Sequence, residues 1–338
     1  MTQPAIPLID TNQSQNWQEI LSDLITDPKE LVQLLQLDSL EQPASLAAME
    51  QFPLKVTRPY VASMEVRNWN DPLLRQVWPS IKEETTVPGF VADPLKESKA
   101  NPVPALLHKY HGRVLLTVVP HCGIHCRYCF RRHFDYSKNT PNRLQWLETL
   151  DYISADQSIK EVILSGGDPL AVSDRHLAWL FNQLKQIKHI TTVRIHTRLP
   201  IVIPQRLTAQ LCDILASSSF RSVVVIHCNH FQELSELVKI HLKKIDANRV
   251  TLLNQSVLLA GINDRLEILE KLSRELFSLN VLPYYLHLLD KVAGAAHFSV
   301  SRGKGIALIK GMENLLPGYL VPRLVEEEAD KPAKYRVR

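Results

Sequence analysis

The stretch HCGIHCRYCFRRHF places Cys122, Cys126 and Cys129 three and then two residues apart. Three thiolates at that spacing can hold three of the four irons of a cubane iron–sulfur cluster and leave the last iron without a protein ligand. An iron left open in this way can chelate a small molecule and pass it one electron. Zinc is the competing occupant, with His121 or His125 as fourth ligand. Structural zinc sites usually join two separated ligand pairs, however, and no second Cys/His pair at such spacing occurs. Cys212 and Cys228 bring the cysteines to five. An odd count, with three of them in one short loop, argues for reduced thiols in the cytoplasm and against a disulfide framework.

Such a loop needs a rigid strand behind it, and RVLLTVVP (113–120) supplies one. Five more runs rich in Val, Ile and Leu follow: EVILSGG (161–167), TVRIHTR (192–198), SVVVIHCN (222–229), RVTLLNQSVLL (249–259) and VLPYYLHLLD (281–290). Helical stretches at about 142–155, 173–187, 204–218, 233–247, 264–279 and 301–315 alternate with them. Continuous apolar runs bounded by amphipathic helices mark a parallel sheet covered on both faces. Six such units in series predict an α/β fold, a partial (β/α)6 barrel of the TIM type. Polar residues gather at the carboxyl ends of the runs: Ser165-Gly166-Gly167-Asp168, His196-Thr197-Arg198, Asn229-His230, Asn254-Gln255 and Asp290. Barrel enzymes build their sites on that end.

Residues 1–110 read as a helical and irregular extension, 111–320 as the barrel and 321–338 as a C-terminal segment. Asp27-Pro28-Lys29-Glu30 predicts a helix start, with Asp27 as cap, Pro28 in the first turn and Glu30 completing a capping box. Prolines from 43 to 104 then break the segment into short pieces. Trp17, Phe52, Trp69, Trp78 and Phe90 need burial, so the extension is expected to wrap the barrel. The chain of 338 residues carries 39 Lys+Arg against 35 Asp+Glu and is 45% hydrophobic, which excludes whole-chain disorder. No Lys/Arg block demands nucleic acid, and no run of about 18 apolar residues predicts a membrane span. The amino terminus lacks a secretory pattern.

The CxxxCxxC loop after the first strand, with Tyr128 beside the last cysteine and SGGD at 165–168 ending the second strand, resembles the radical S-adenosylmethionine superfamily. CRYCFRRHF, LSGGDPL, RIHTRLPIVIPQRL, NQSVLLAGIND, PYYLHLLD and PGYLVPRLV run in the order seen in lysine 2,3-aminomutases, from about residue 55 to 334. DPLLRQVWPS and HKYHGR are most similar to the branch that makes (R)-β-lysine for modification of elongation factor P. The resemblance implies a radical S-adenosylmethionine barrel with a [4Fe-4S] cluster on Cys122, Cys126 and Cys129, S-adenosyl-L-methionine on the open iron, and pyridoxal 5′-phosphate (PLP). It implies conversion of L-lysine to (R)-β-lysine, an electron donor, and a link to the elongation factor P lysyl-ligase pathway, with no direct nucleic-acid or membrane partner. Longer relatives carry a C-terminal zinc-binding cysteine cluster whose cysteines have no counterpart here.

The same resemblance assigns roles. Lys334, twelve residues after Pro322, is the Schiff-base lysine, with Lys331 as rival because 329–333 replaces the glycines of many relatives. Lys109 and Arg113 map to residues that hold the PLP phosphate. Ser165, Gly166, Gly167 and Asp168 map to the S-adenosylmethionine site, while Gln255, with Asn229 and His230, is a candidate contact of S-adenosylmethionine or the pyridoxal ring by its place at a strand end. Arg131 maps to the arginine that pairs with the substrate carboxylate, a task its planar guanidinium suits. Asp290 and Glu327 map to carboxylates for the distal ammonium of lysine, which is costly to bury unpartnered. Two alternatives stay open: a mutase for another amino acid, and, from a different class, a metal-cluster module that binds RNA or a translation factor.

Overall fold

Each of the six apolar runs forms a strand, and three shorter strands extend them into one sheet. The computed structural model describes residues 16–38, 40–135, 141–217, 219–329, 331 and 333–338; the amino-terminal stretch read above as leaderless lies outside them. β1 (Leu106–Tyr110) and β2 (Arg113–Val119) form an antiparallel hairpin. From β2 the chain adds β3 (Glu161–Gly166), β4 (Thr192–Thr197), β5 (Arg221–His227), β6 (Val250–Val257), β7 (Val281–His287) and β8 (Arg323–Glu326), each parallel to its predecessor. β9 (Tyr335–Arg336) folds back antiparallel on β8. Spatial order equals chain order from β1 to β9, and among the described residues the two edges do not pair. The barrel is partial, as expected, with seven parallel strands where six apolar runs were visible.

Four short helices, α1 (Trp17–Ser22), α2 (Pro28–Leu34), α3 (Leu46–Gln51) and α4 (Arg58–Val61), precede the sheet. α5 (Arg143–Ala155), α6 (Asp174–Gln186), the single-turn α7 (Leu199–Val202), α8 (Ala209–Ala216), α9 (Glu236–Leu242), α10 (Leu266–Ser278) and α11 (Arg302–Leu315) fill the crossovers. Asn142, Ser173, Thr208, Ser235 and Ser301 cap α5, α6, α8, α9 and α11, each side-chain oxygen taking an otherwise orphaned backbone N–H. Asp27 caps α2 as expected, but Glu30 does not close a capping box. It turns outward and pairs with Arg58 of α4 at 2.8 Å, tying two helices of the extension together.

The extension is no separate layer. Trp17, Tyr60, Trp69, Leu73 and Trp78 share one apolar cluster with Val114, Leu116, Val162 and Leu180 of the sheet and its helices. Phe52 and Phe90 are only half-buried. The strands also differ from the expectation of two apolar faces. Along β4 and β6 buried residues alternate with half-exposed ones. Register aligns His196 with Val225 and Leu253, and His227 with Gln255 and Tyr285. An open barrel keeps no closed stack of aliphatic layers inside, so its concave face can carry polar side chains that a sealed one would exclude.

Candidate active site

The cysteine loop leaves β2 and is pressed against the end of β3. Gly166 has φ +111°, and a Cβ there would stand 2.8 Å from the carbonyl oxygen of Val119. At Gly167 a Cβ would meet the His121 carbonyl oxygen at 2.3 Å. The two glycines therefore admit the backbone of the cysteine loop itself, and the backbone bonds Gly167 N–H to Val119 O (2.7 Å) and Asp168 N–H to His121 O (3.0 Å) fasten it. Asp168 accepts from Thr197 Oγ1 (2.7 Å) and from the N–H groups of Leu170, Arg198 and Leu199. Its carboxylate is engaged inside the protein and locks the ends of β3 and β4 together.

Burial, with the charges of Asp168 and the neighbouring thiols, pushes the Cys122 thiol well above its ordinary range, and burial with Cys126 raises Cys129 to about 11. Thiols this reluctant to ionise alone become thiolates when cationic iron compensates them. His125 is directed elsewhere: its Nδ1 lies 2.9 Å from Pro53 O and its ring stacks on Phe52 at 4.3 Å. No three His, Cys, Asp or Glu side chains among the described residues converge on a position for a single metal ion. A cluster makes a different demand, one thiolate for each of three separate irons, and the donor set fits that demand.

A second group gathers where the open edges of the sheet face each other. Glu327, just past β8, pairs through Oε1 with Lys109 Nζ (3.0 Å) and through Oε2 with Lys334 Nζ (3.1 Å), while Tyr110 Oη donates to Oε1 at 2.7 Å. Side chains thus span the gap that backbone pairing leaves. Burial alone would raise the Glu327 carboxyl, but Lys334, Lys109 and the Tyr110 hydroxyl overcome it and hold the group well below the carboxylate range. Asp290 follows β7 and responds oppositely: burial and the charge of Glu327 raise it to about 7 against the pull of Lys334 and Lys109. Arg113 stacks over the Tyr110 ring at 4.7 Å, and Lys334 lies 6.0 Å over the Tyr285 ring. Lys331 is exposed. His196 Nε2 and His287 Nε2 are buried with no hydrogen-bond partner among the described residues, and burial first, with neighbouring cations including Lys334, pushes both imidazoles well below their ordinary range. Two neutral imidazoles with unmet nitrogens beside a lysine are what a polar aromatic cofactor would satisfy.

Arg131 is held differently from the expectation. Its Nε and Nη2 form a two-point pair with Glu97 (2.7 and 2.8 Å), and Nη1 donates to Ser165 Oγ at 3.0 Å. The planar fork already grips a carboxylate here, one supplied by the chain. Gln255 is half-buried on the concave face beside His227 and Tyr285. Asn229 is buried, its amide 3.3 Å from His227 Nε2. Its amide donates to Gln76 Oε1 (3.0 Å) and Tyr128 Oη (2.7 Å) and its carbonyl accepts from Val257 N–H. His230 caps the following turn through Nδ1. Tyr110, Glu97 and His287 were not singled out by residue reading, and His196 and Arg198 were marked only as polar strand-end residues without a role. A polar residue at alternate positions of an otherwise apolar strand marks His196 and His287, whereas Glu97 gives no local signal.

Residues 111–224 match the family described as a 4Fe-4S single cluster domain. The L-lysine 2,3-aminomutase of Haemophilus influenzae is 47% identical to this chain, over 98% of it and 97% of the relative. That of Escherichia coli is 46% identical, over 97% of this chain and 96% of the relative. The L-lysine 2,3-aminomutase of Clostridium subterminale is 32% identical over 92% of this chain, which corresponds to 74% of that longer protein. Among solved structures, coproporphyrinogen III oxidase from Escherichia coli, a radical SAM enzyme, aligns with a TM-score of 0.41 and 13% identity over 62% of this chain and 53% of its own.

Proposed function

The chain belongs to the lysine 2,3-aminomutase family of radical S-adenosylmethionine enzymes, and on that premise we propose that it converts L-lysine to (R)-β-lysine with a [4Fe-4S] cluster, S-adenosylmethionine and PLP. The observation that carries the reading is the convergence of Lys334, Lys109 and Tyr110 on the Glu327 carboxylate, with Asp290 beside them, on a sheet that also holds the cysteine loop. When bound, the cluster with S-adenosylmethionine supplies a carbon radical able to take hydrogen from an unactivated carbon, and PLP supplies an imine nitrogen that such a radical can attack. Cys122, Cys126 and Cys129 would hold the cluster, Lys334 would carry PLP, and Lys109 and Arg113 would face its phosphate.

The remaining residues orient the substrate. Arg131 would receive the lysine carboxylate in place of Glu97, exchanging one two-point pair for another of the same geometry. Asp290 would take the distal ammonium, and Glu327 would serve it once Lys334 is engaged elsewhere. A carboxylate at Asp290 discriminates against an acidic side chain, which is why lysine is favoured over other amino acids. Delivery of the product to elongation factor P is part of the same proposal and rests on the likeness of DPLLRQVWPS and HKYHGR to that branch. Anaerobic incubation of reconstituted protein with lysine, S-adenosylmethionine and a strong reductant is expected to yield β-lysine. Absence of product, with cluster and PLP both verified, refutes the reading.

Asp290 gives that reading a pH signature. An acid raised to about 7 is protonated in the folded chain over a range where the unfolded chain, at its ordinary 3.8, is ionised. Folding therefore loses stability as pH rises through that interval, and an ammonium bound at Asp290 reverses the loss by pulling the group back down. Below pH 7 lysine must expel a proton to bind, so its dissociation constant is expected to rise by about tenfold per pH unit. Calorimetry at pH 6 and 8 in two buffers of different ionisation enthalpy measures both terms. Asp290→Asn should bind more weakly and show no proton release; an unchanged pH slope in that variant removes Asp290 from the ammonium site.

A further inference from the structure

Arg198 closes β4 and is buried, and the mechanism above gives it no task. Its Nη1 donates to Cys126 Sγ at 2.7 Å and to Tyr128 Oη. Its Nη2 donates to Tyr60 Oη (3.0 Å), Gln76 Oε1 (2.9 Å) and Glu233 Oε2 (3.2 Å). Tyr60 and Gln76 belong to the N-terminal extension, Tyr128 to the cysteine loop and Glu233 to the turn after β5. One guanidinium therefore joins four parts of the chain and points one of its amino groups at a single sulfur. Such a buried, charge-assisted fork has little freedom to turn, because turning would break its five contacts together.

We infer that Arg198 is a positioning residue for the cluster: it fixes the Cys126 sulfur and stabilises the reduced state, with Tyr60 and Gln76 of the extension holding its fork in place. This rests on the reading that Cys126 ligates the cluster. An N–H donor on a ligating thiolate draws electron density from the iron and favours the form with one more electron. The fixed positive charge acts in the same sense, and Glu233, itself buried, offsets part of it. The extension thereby serves as the outer wall of the redox site in addition to covering the apolar face of the sheet.

The test compares reconstituted full-length wild type with Arg198→Lys, which keeps the charge but cannot span five acceptors, and with the double variant Arg198→Gln/Glu233→Gln, which removes both charges and so avoids a stranded carboxylate. Readouts are iron and sulfide content, thermal unfolding of the apo protein, and the midpoint potential of the cluster. Both variants are expected to show a potential lower by about 59 mV or more, a tenfold penalty on the one-electron reduced form. Loss of iron from a variant whose apo form unfolds at the wild-type temperature supports the same role through the sulfur. A wild-type potential and iron content in both variants overturns it. Cys126→Ala separates the two readings: if it retains the cluster, the ligand assignment fails; if it loses the cluster while the Arg198 variants match wild type, only the role of Arg198 fails.

Discussion

Cys122→Ala, Cys126→Ala and Cys129→Ala are each expected to abolish isomerisation of lysine and to leave reconstituted protein without a stoichiometric cluster. The expectation follows from counting attachment points. A cubane held at three corners and open at the fourth has no spare protein ligand, so deleting one thiolate leaves two anchors and exposes a second iron. Losing an outer contact of a metal site typically costs a factor of about 10–100, whereas losing a ligand removes the site. Cys212→Ala is the control inside the same chain: Cys212 sits half-buried on α8, packed against the core and remote in sequence from the loop, and its removal is expected to leave iron content and turnover unchanged. Iron and acid-labile sulfide analysis, the paramagnetic signal of the reduced cluster, and β-lysine formation give independent readings. Retention of iron and activity in any one of the three loop variants would falsify the ligand set.

The loop variants also separate the cluster from zinc by a physical difference between the two. A tetrahedral zinc needs its fourth ligand close to the other three, and of the two imidazoles in the loop, His121 and His125, the second is already turned onto Phe52 and Pro53. His125→Ala should therefore leave metal content unchanged while loosening the contact between the cysteine loop and the extension, a loss visible as a lower unfolding temperature.

The parts of the site that were legible before the structure are those whose chemistry lies within a few residues. The CxxxCxxC spacing is local, and so is the strand that bears it. β3 to β7 were readable because Val, Ile and Leu runs of ordinary strand length alternate with helical stretches. β1 and β8 escaped: LLHKY carries three charged or ionisable residues in five, and RLVE is four residues long, too short to establish a period. Missing them hid the facing edges, and with them the meeting of Lys109 and Tyr110 with Glu327, which are more than two hundred residues apart in the chain. Gly166 and Gly167 of SGGD, assigned by resemblance to the S-adenosylmethionine site, also admit the chain's own cysteine loop, a contact that no local spacing announces. The bidentate pair of Glu97 with Arg131 has no trace in the sequence at all, since an acidic residue in an irregular segment ordinarily faces solvent.

The second large effect concerns Lys334. Lys334→Ala is expected to reduce β-lysine formation to background and to abolish borohydride-stable attachment of PLP, whereas Lys331→Ala leaves both intact. The structure places the two lysines in different surroundings: Lys331 is exposed, while Lys334 lies on Glu327 and over the Tyr285 ring. Folding should survive the substitution, because Glu327 keeps Lys109 and the Tyr110 hydroxyl and is not left as a buried unpaired charge. The ion pair carries its own consequence. Lys334 must leave its ion pair with Glu327, 3.1 Å away, before it can reach a carbonyl carbon as a nucleophile. Glu327→Gln is accordingly expected to speed PLP capture by Lys334 even as it weakens the hold on the substrate ammonium, a split in sign that a purely structural role for Glu327 would not produce. Peptide mapping after reduction decides between the lysines, and a pyridoxyl mass on the peptide bearing residue 331, with residue 334 unmodified, reverses the assignment.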